Sequence, residues 1–141
     1  MRNKGFTLIE LLAVIVILAI IALIATPIII GMIDDARSSA KERSAELVYT
    51  GVEYAYTSSL YAKVDGAALP EVTLETISKN LTIDNMKQAT LSQDKSKLTI
   101  QTDDGVYCDV TVSGKSFSVV CKDGNGDGAK TILNKNLLAT K

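Results

Sequence analysis

From Leu11 to Ile33 the chain passes twenty-three residues without a charged side chain. A membrane-spanning helix needs about 20 mostly apolar residues, so the run is long enough to be one. Nothing else in the sequence restricts the fold as strongly. Its apolar residues lie all round the helix, as in a segment buried in lipid and later among its own kind. One carboxylate, Glu10, stands at the start of the run. An acidic side chain costs roughly 2.5–3.5 kcal/mol at mid-bilayer and less near the interface, so Glu10 calls for a partner. A basic tip, Met1-Arg2-Asn3-Lys4-Gly5, precedes the run, and Asp34 and Asp35 follow it. This asymmetry puts the N-terminus in the cytoplasm and the rest of the chain outside. A cleaved secretory signal has a shorter apolar core and a small-residue cut site. Here Ala25-Thr26-Pro27-Ile28-Ile29-Ile30 stays apolar beyond any such site.

Gly5, then Phe6-Thr7-Leu8-Ile9-Glu10, then the long apolar run resembles the class III signal sequence of type IV pilins and pseudopilins. The likeness is close through the first helix and general beyond it. It implies that a prepilin peptidase cuts after Gly5 and that the new N-terminal Phe6 is methylated. It also implies that Glu10 pairs with the Phe6 amine of a neighbouring subunit. The expected product is a homopolymer held through its N-terminal helices and built by an inner-membrane assembly platform. Such a chain is first a single-pass membrane protein and then part of an extracellular surface filament. The alternative within the resemblance is a pseudopilin or minor pilin of a type II secretion or competence machine. Pro27 sits where relatives often carry a proline, and a kink or local opening is expected there. Ala19 stands where relatives frequently have a helix-weakening glycine.

The expected organisation is α+β. Residues 1–5 form a leader, 6–33 the hydrophobic membrane and filament-core helix, 34–62 its amphipathic continuation, and 63–141 a head. The head is a small antiparallel β-meander on the C-terminal half of a helical spine. Ile33, Ala36, Ala40, Leu47, Val48, Gly51, Val52 and Ala55 recur at three- and four-residue steps and predict the buried face. Lys41, Glu42, Arg43 and Glu46 read as exposed helical pairs, each worth only a few tenths of a kcal/mol. Gly51 and Ala55 are small enough to let the sheet approach closely. Lys63–Pro70 breaks the period, and a short helix capped by Thr73 follows over Val72–Ile77. Asn80-Leu81-Thr82 fits a glycosylation sequon, a pattern common by chance.

Strand register can be derived from turn length. Ser113-Gly114-Lys115-Ser116 reads as a two-residue II′ hairpin with Gly114 at positive φ. Ser113 then faces Ser116, which sets Val112 opposite Phe117, Val110 opposite Val119 and Cys108 opposite Cys121. By alternation the cysteines form a non-hydrogen-bonded pair, where backbones lie closer, so a disulfide fits. Leu98 and Ile100 must share the face of Cys108 and Val110. A two-residue turn before Val106 would reverse that parity, whereas a three-residue loop, Asp103-Asp104-Gly105, puts Ile100 opposite Cys108. Three strands follow, or four if Ala89-Thr90-Leu91 pairs. Thr131–Leu138 reads as a terminal strand or a short helix.

With no histidine in the chain, two cysteines make a poor zinc site and a natural staple in an extracytoplasmic head. Pilins often carry a C-terminal disulfide near the chain end, but twenty residues follow Cys121 here. After it, Asp123-Gly124-Asn125-Gly126-Asp127-Gly128 matches the start of a calcium loop. Asp123, Asn125, Asp127 and the Ala129 carbonyl are the candidate ligands. The bidentate Glu of an EF-hand is missing, and a metal-free, turn-rich connector explains the same residues. Both readings stand at this point, and no cofactor is required. Enzymatic function is not expected, for want of a nucleophile–base constellation. Charges total −1 and basic residues are scattered, with no stripe for nucleic acid.

Overall fold

The computed structural model describes residues 5–61, 72–114 and 116–138. The basic tip before Gly5 and the helix-ending segment Lys63–Pro70 lie outside them. Helix α1 runs Leu8–Tyr61, and α2 spans Leu74–Asn80. Strands β1 (Met86–Leu91), β2 (Leu98–Thr102), β3 (Val106–Ser113), β4 (Ser116–Asp123) and β5 (Thr131–Leu138) form one antiparallel sheet in chain order. The chain divides into two compact units, Met1–Ser38 and Ser39–Lys141.

In the first unit α1 is apolar on all sides, and none of its most apolar window is buried. That window of 18 residues has a mean hydropathy of 3.2, and α1 alone among the described residues is long and apolar enough to cross a membrane. The helix continues through Pro27 without a break. Proline deletes one ladder bond, and in a helix of 54 residues the turns on either side hold the rest.

In the second unit the sheet packs on the C-terminal part of α1, giving an α+β, pilin-like fold. The core joins Val48, Val52 and Ala55 of α1 to Leu98, Ile100, Val110 and Val119 of the sheet, with Ile77 of α2 closing one side. Phe117 is its largest fully buried side chain, 5.1 Å from the Tyr56 ring and 5.9 Å from that of Tyr49. The derived register is observed. Ser113 pairs with Ser116, Val112 with Phe117, Val110 with Val119, Cys108 with Cys121, and Ile100 with Cys108. Gly114 and Gly105 take the required positive φ, 60° and 84°. Lys115, in the same turn, lies outside the described residues. The cysteines are bridged with Cα atoms 4.0 Å apart, the close class of antiparallel pair.

Two open alternatives are resolved, and other expectations are corrected. The sheet has five strands, because Ala89-Thr90-Leu91 does pair with β2 and Thr131–Leu138 is a strand rather than a helix. The buried face of α1 is rotated from the expected one: it comprises Ser44, Ala45, Val48, Val52, Ala55, Tyr56 and Ser59. Leu47 is 53 % exposed, and Ala36 and Ala40 are exposed as well. Two serines, Ser44 and Ser59, lie on this face. Their hydroxyls find local acceptors, Ser59 bonding the Ala55 carbonyl at 2.6 Å. Gly51 does face a close neighbour, but it is Ile83 in the α2–β1 connection rather than the sheet. A Cβ at Gly51 would stand 2.6 Å from Ile83 Cγ1.

A further correction concerns charge. Lys41 pairs with Asp123 at 2.6 Å and Glu46 with Lys135 at 3.8 Å, so these groups tie α1 to the sheet rather than to each other. The helix α2 is capped as expected, with Thr73 Oγ1 accepting from Thr76 N–H at 3.4 Å. Asn80 ends α2, and its side-chain amide donates to Ser59 Oγ at 3.1 Å.

Candidate functional site

The residues expected to carry processing and assembly stand together at the start of α1. Gly5, Phe6 and Thr7 precede the first helical residue, Leu8, and all three are exposed. Thr7 occupies the N-cap position: its carbonyl accepts from the N–H groups of Glu10 and Leu11, at 3.1 and 3.2 Å. Its hydroxyl oxygen accepts from Glu10 N–H at 3.4 Å. In return Glu10 Oε2 accepts from Thr7 N–H at 3.4 Å and from the Thr7 hydroxyl at 3.2 Å. This reciprocal arrangement is a capping box, and it satisfies donors that a helix start otherwise leaves open. The carboxylate is also favourably placed against the positive end of the helix dipole. Glu10 therefore has a partner within its own chain, which the sequence reading missed. The signal was present as Thr7-x-x-Glu10 ahead of an apolar run. Pro27, the third expected assembly residue, lies within the same helix.

The second candidate region lies where two loops of the head meet α1. Ser44 donates to Asp104 Oδ2 at 2.7 Å, and Thr102 donates to Asp104 Oδ1. Ser44 has a single proton, spent on Asp104, so it accepts from the Asn85 amide at 2.8 Å. Turning that amide over would set two acceptors against each other, and Asn85 Oδ1 is left buried without a partner among the described residues. Asp103 N–H donates to the Asn85 carbonyl at 3.0 Å, completing the junction of β1, the β2–β3 loop and α1. From sequence, Asp103-Asp104 read as turn formers only. No sequence spacing reports a bond between residues 44 and 104.

Partial burial opposes the charge on Asp104, but the Ser44 and Thr102 hydroxyls and nearby backbone amides outweigh it and hold the carboxyl below 3.8. A depressed folded pKa means the contribution is full above the unfolded value and is lost as pH falls through the folded one. Asp104→Ala is expected to destabilise the head by about 1 kcal/mol at pH 7, a low figure because the carboxylate is largely solvated. Urea unfolding of both proteins should show this gap closing as pH drops below about 3.8. A gap that stays constant to pH 2 would exclude the charged hydrogen bonds as its cause.

The loop after Cys121 carries the four candidate calcium ligands. Asp123 Oδ1 is held by the Lys41 ammonium at 2.6 Å. Asp123 N–H bonds the Lys130 carbonyl and Ala129 N–H the Gly126 carbonyl, at 2.9 and 3.0 Å. Gly124, at φ 96°, donates to the Gly105 carbonyl and so couples this loop to the β2–β3 loop. Among the described residues no three of His, Cys, Asp and Glu are grouped as metal ligands. With Asp123 arranged this way, a cation at Asp123 would compete with the Lys41 ammonium.

Residues 1–26 match the family model described as the prokaryotic N-terminal methylation motif. This is the class III prepilin signal of type IV pilins and pseudopilins. The motif implies processing by a prepilin peptidase and assembly into pilus-like filaments, and together with the apolar helix it fits a membrane-anchored precursor. No curated protein and no solved structure matches the chain.

Proposed function

We propose that this chain is a structural subunit of a surface filament. It is cut between Gly5 and Phe6, methylated on Phe6, and polymerised through its N-terminal helix. The observation that carries the reading is the methylation motif over residues 1–26 joined to a helix whose start is capped by its own Thr7 and Glu10. In the membrane the N-terminus is cytoplasmic and the head lies outside. Before assembly the capping box gives Glu10 a partner near the interface, which reduces the penalty of an isolated carboxylate. After cleavage, the Phe6 amine puts a positive charge beside a helix start, where cations are disfavoured. A neighbour's Glu10 then offsets that charge as subunits pack.

Two substitutions separate capping from charge pairing. Glu10→Gln keeps a side chain that can close the box, whereas Glu10→Ala keeps neither role. Filaments sheared from cells should contain wild-type chain beginning at methylated Phe6 by intact mass. Both variants should be cleaved yet give at least tenfold less filament. Full yield from Glu10→Gln would remove charge pairing from the mechanism, and a mature chain retaining Met1–Gly5 would overturn the reading itself. Recovery of the chain only in a secretion or competence complex would favour the pseudopilin alternative.

In this reading Lys41 is the counter-ion of the 123–128 loop, and calcium is not needed there. Thermal unfolding of the chain in detergent should be unchanged by millimolar calcium. Lys41→Met, which releases Asp123, should make it calcium-dependent. A clear rise in wild-type melting temperature with calcium would restore the metal-loop reading.

A further inference from the structure

Asn125 lies in the loop between β4 and β5, and among the described asparagines it alone is followed by glycine. A backbone amide can attack the side-chain carbonyl of a preceding asparagine when that side chain is loose and the amide is unshielded. Glycine favours the step, because it sets no side chain against the attack and reaches conformations closed to other residues. The fold leaves both reacting groups open. Asn125 and Gly126 are exposed. Among the described residues, side-chain bonding within 123–128 is confined to Asp123, through Lys41. Backbone bonds there use the N–H groups of Asp123 and Gly124 and the Gly126 carbonyl, and leave the Gly126 N–H without a described acceptor. The other described asparagines are tied down. The Asn80 amide donates to Ser59 and the Asn85 amide to Ser44, at 3.1 and 2.8 Å. Asn134 and Asn136 sit in β5 opposite Val120 and Ser118, and the bulkier Lys135 and Leu137 follow them.

We propose that Asn125-Gly126 is a modification site, at which the folded chain deamidates without an enzyme. The Gly126 nitrogen gives its proton to a base in solution and attacks Asn125 Cγ. The N–Cγ bond forms, the Cγ–Nδ2 bond breaks, and Nδ2 leaves as ammonia. A five-membered cyclic imide remains, and water opens it at one of its two carbonyl carbons. Opening at Cγ gives aspartate. Opening at the backbone carbonyl gives isoaspartate, in which the chain runs on through Cβ and Cγ. Nothing is oxidised or reduced, and water is the only co-reactant. The bonds that flank the site, Asp123 N–H to the Lys130 carbonyl and Ala129 N–H to the Gly126 carbonyl, use neither reacting atom. Either product sets a carboxylate at position 125 between Asp123 and Asp127, and the nearest paired cation, Lys41, is already engaged by Asp123. The head therefore becomes more acidic by one charge as it ages. This goes beyond the filament reading, because it requires only the folded head.

The test uses the purified full chain in detergent, its bridge intact, incubated in neutral buffer and sampled over time. Digestion at mildly acidic pH, where the amide nitrogen keeps its proton, holds further conversion down. Trypsin releases Asp123–Lys130 as a peptide whose sole asparagine is Asn125. A growing share of this peptide should be heavier by about one dalton, divided by fragment ions between aspartate and isoaspartate. Isomerisation at Asp127-Gly128 leaves mass unchanged, so the gain reads Asn125 alone. In the same folded sample the peptides holding Asn80 and Asn85 should convert at least tenfold more slowly. Chain unfolded in urea gives the unrestrained rate, and Asn125 in the folded chain should convert at no less than a tenth of it. Gly126→Ala should slow conversion at least tenfold while the loop stays as it is. A Cβ there meets nothing within 4 Å, and Gly126 is not one of the positive-φ glycines. A folded rate more than tenfold below the unfolded one would show that the loop shields the site, and would overturn the proposal. Aspartate without isoaspartate would overturn it too, since the imide opens both ways, as would an undiminished rate in Gly126→Ala.

Discussion

Phe117→Ala is expected to cost the head about 3–5 kcal/mol, a large share of the roughly 5–15 kcal/mol that holds a typical domain together. Phe117 is 2 % exposed and sits on β4 against two rings of α1, Tyr49 and Tyr56. Truncation would remove its buried area and leave a cavity whose walls are a helix and a sheet. Neither wall can close without breaking backbone hydrogen bonds, so little of the loss is recovered by collapse. Tyr49 is also held from above by Lys135, 5.1 Å from its ring centroid, which restricts its movement into the space. Urea unfolding of the full chain in detergent, followed through the tyrosines, measures the change. Phe117→Leu, which keeps most of the volume, should cost under about 1.5 kcal/mol. Equal costs for the two variants would show that the ring's volume is not what the site needs.

Replacing Cys108 and Cys121 together by Ala is expected to lower stability by about 3 kcal/mol. The bridge closes a loop of twelve intervening residues, and its principal action is to limit the unfolded chain. Both cysteines are fully buried. Their loss therefore also removes packed sulfur from the middle of the sheet. The β3–β4 pairing itself should survive, because the Ser113–Ser116 turn and four further cross-strand pairs up to Asp109–Val120 do not depend on the bridge. A fall in urea midpoint with retained strand signal in circular dichroism is the expected pair of results. An unchanged midpoint would show that the hairpin alone constrains the unfolded ensemble as much as the covalent link does.

The methylation motif and the disulfide are legible in the sequence because their signals are local or periodic. Gly5, Phe6 and Glu10 stand at fixed spacing beside a run that only lipid or a like helix can accommodate. Cys108 and Cys121 are placed by counting back from Gly114 at a period of two. The capping box is equally local, carried by Thr7-x-x-Glu10, but a lone carboxylate ahead of an apolar run points first to an external partner. The calcium ligands show the opposite weakness. Asp123, Asn125 and Asp127 have the right alternation, but alternation does not report that Asp123 has a cation partner in Lys41, 82 residues distant.

Sequence by itself determined the long apolar helix, the α+β plan, the register of β2 with β3 and β4, the bridge, and the cap of α2. Each follows from short-range geometry: side chains alternate strictly along a strand, a turn of given length fixes parity, and only glycine is at ease at positive φ. Tertiary structure alone decided which face of α1 is covered, that β1 and β5 complete the sheet, and where Lys41, Ser44 and Glu46 find their partners. The reason is that hydropathy ranks Leu47 above Ser44, whereas which of them is covered depends on where distant segments such as the β2–β3 loop meet α1. Ser44 and Ser59 can be buried because acceptors lie within reach, Asp104 for one and the Ala55 carbonyl for the other. Leu47 is left outside, as are Tyr54 and Tyr61.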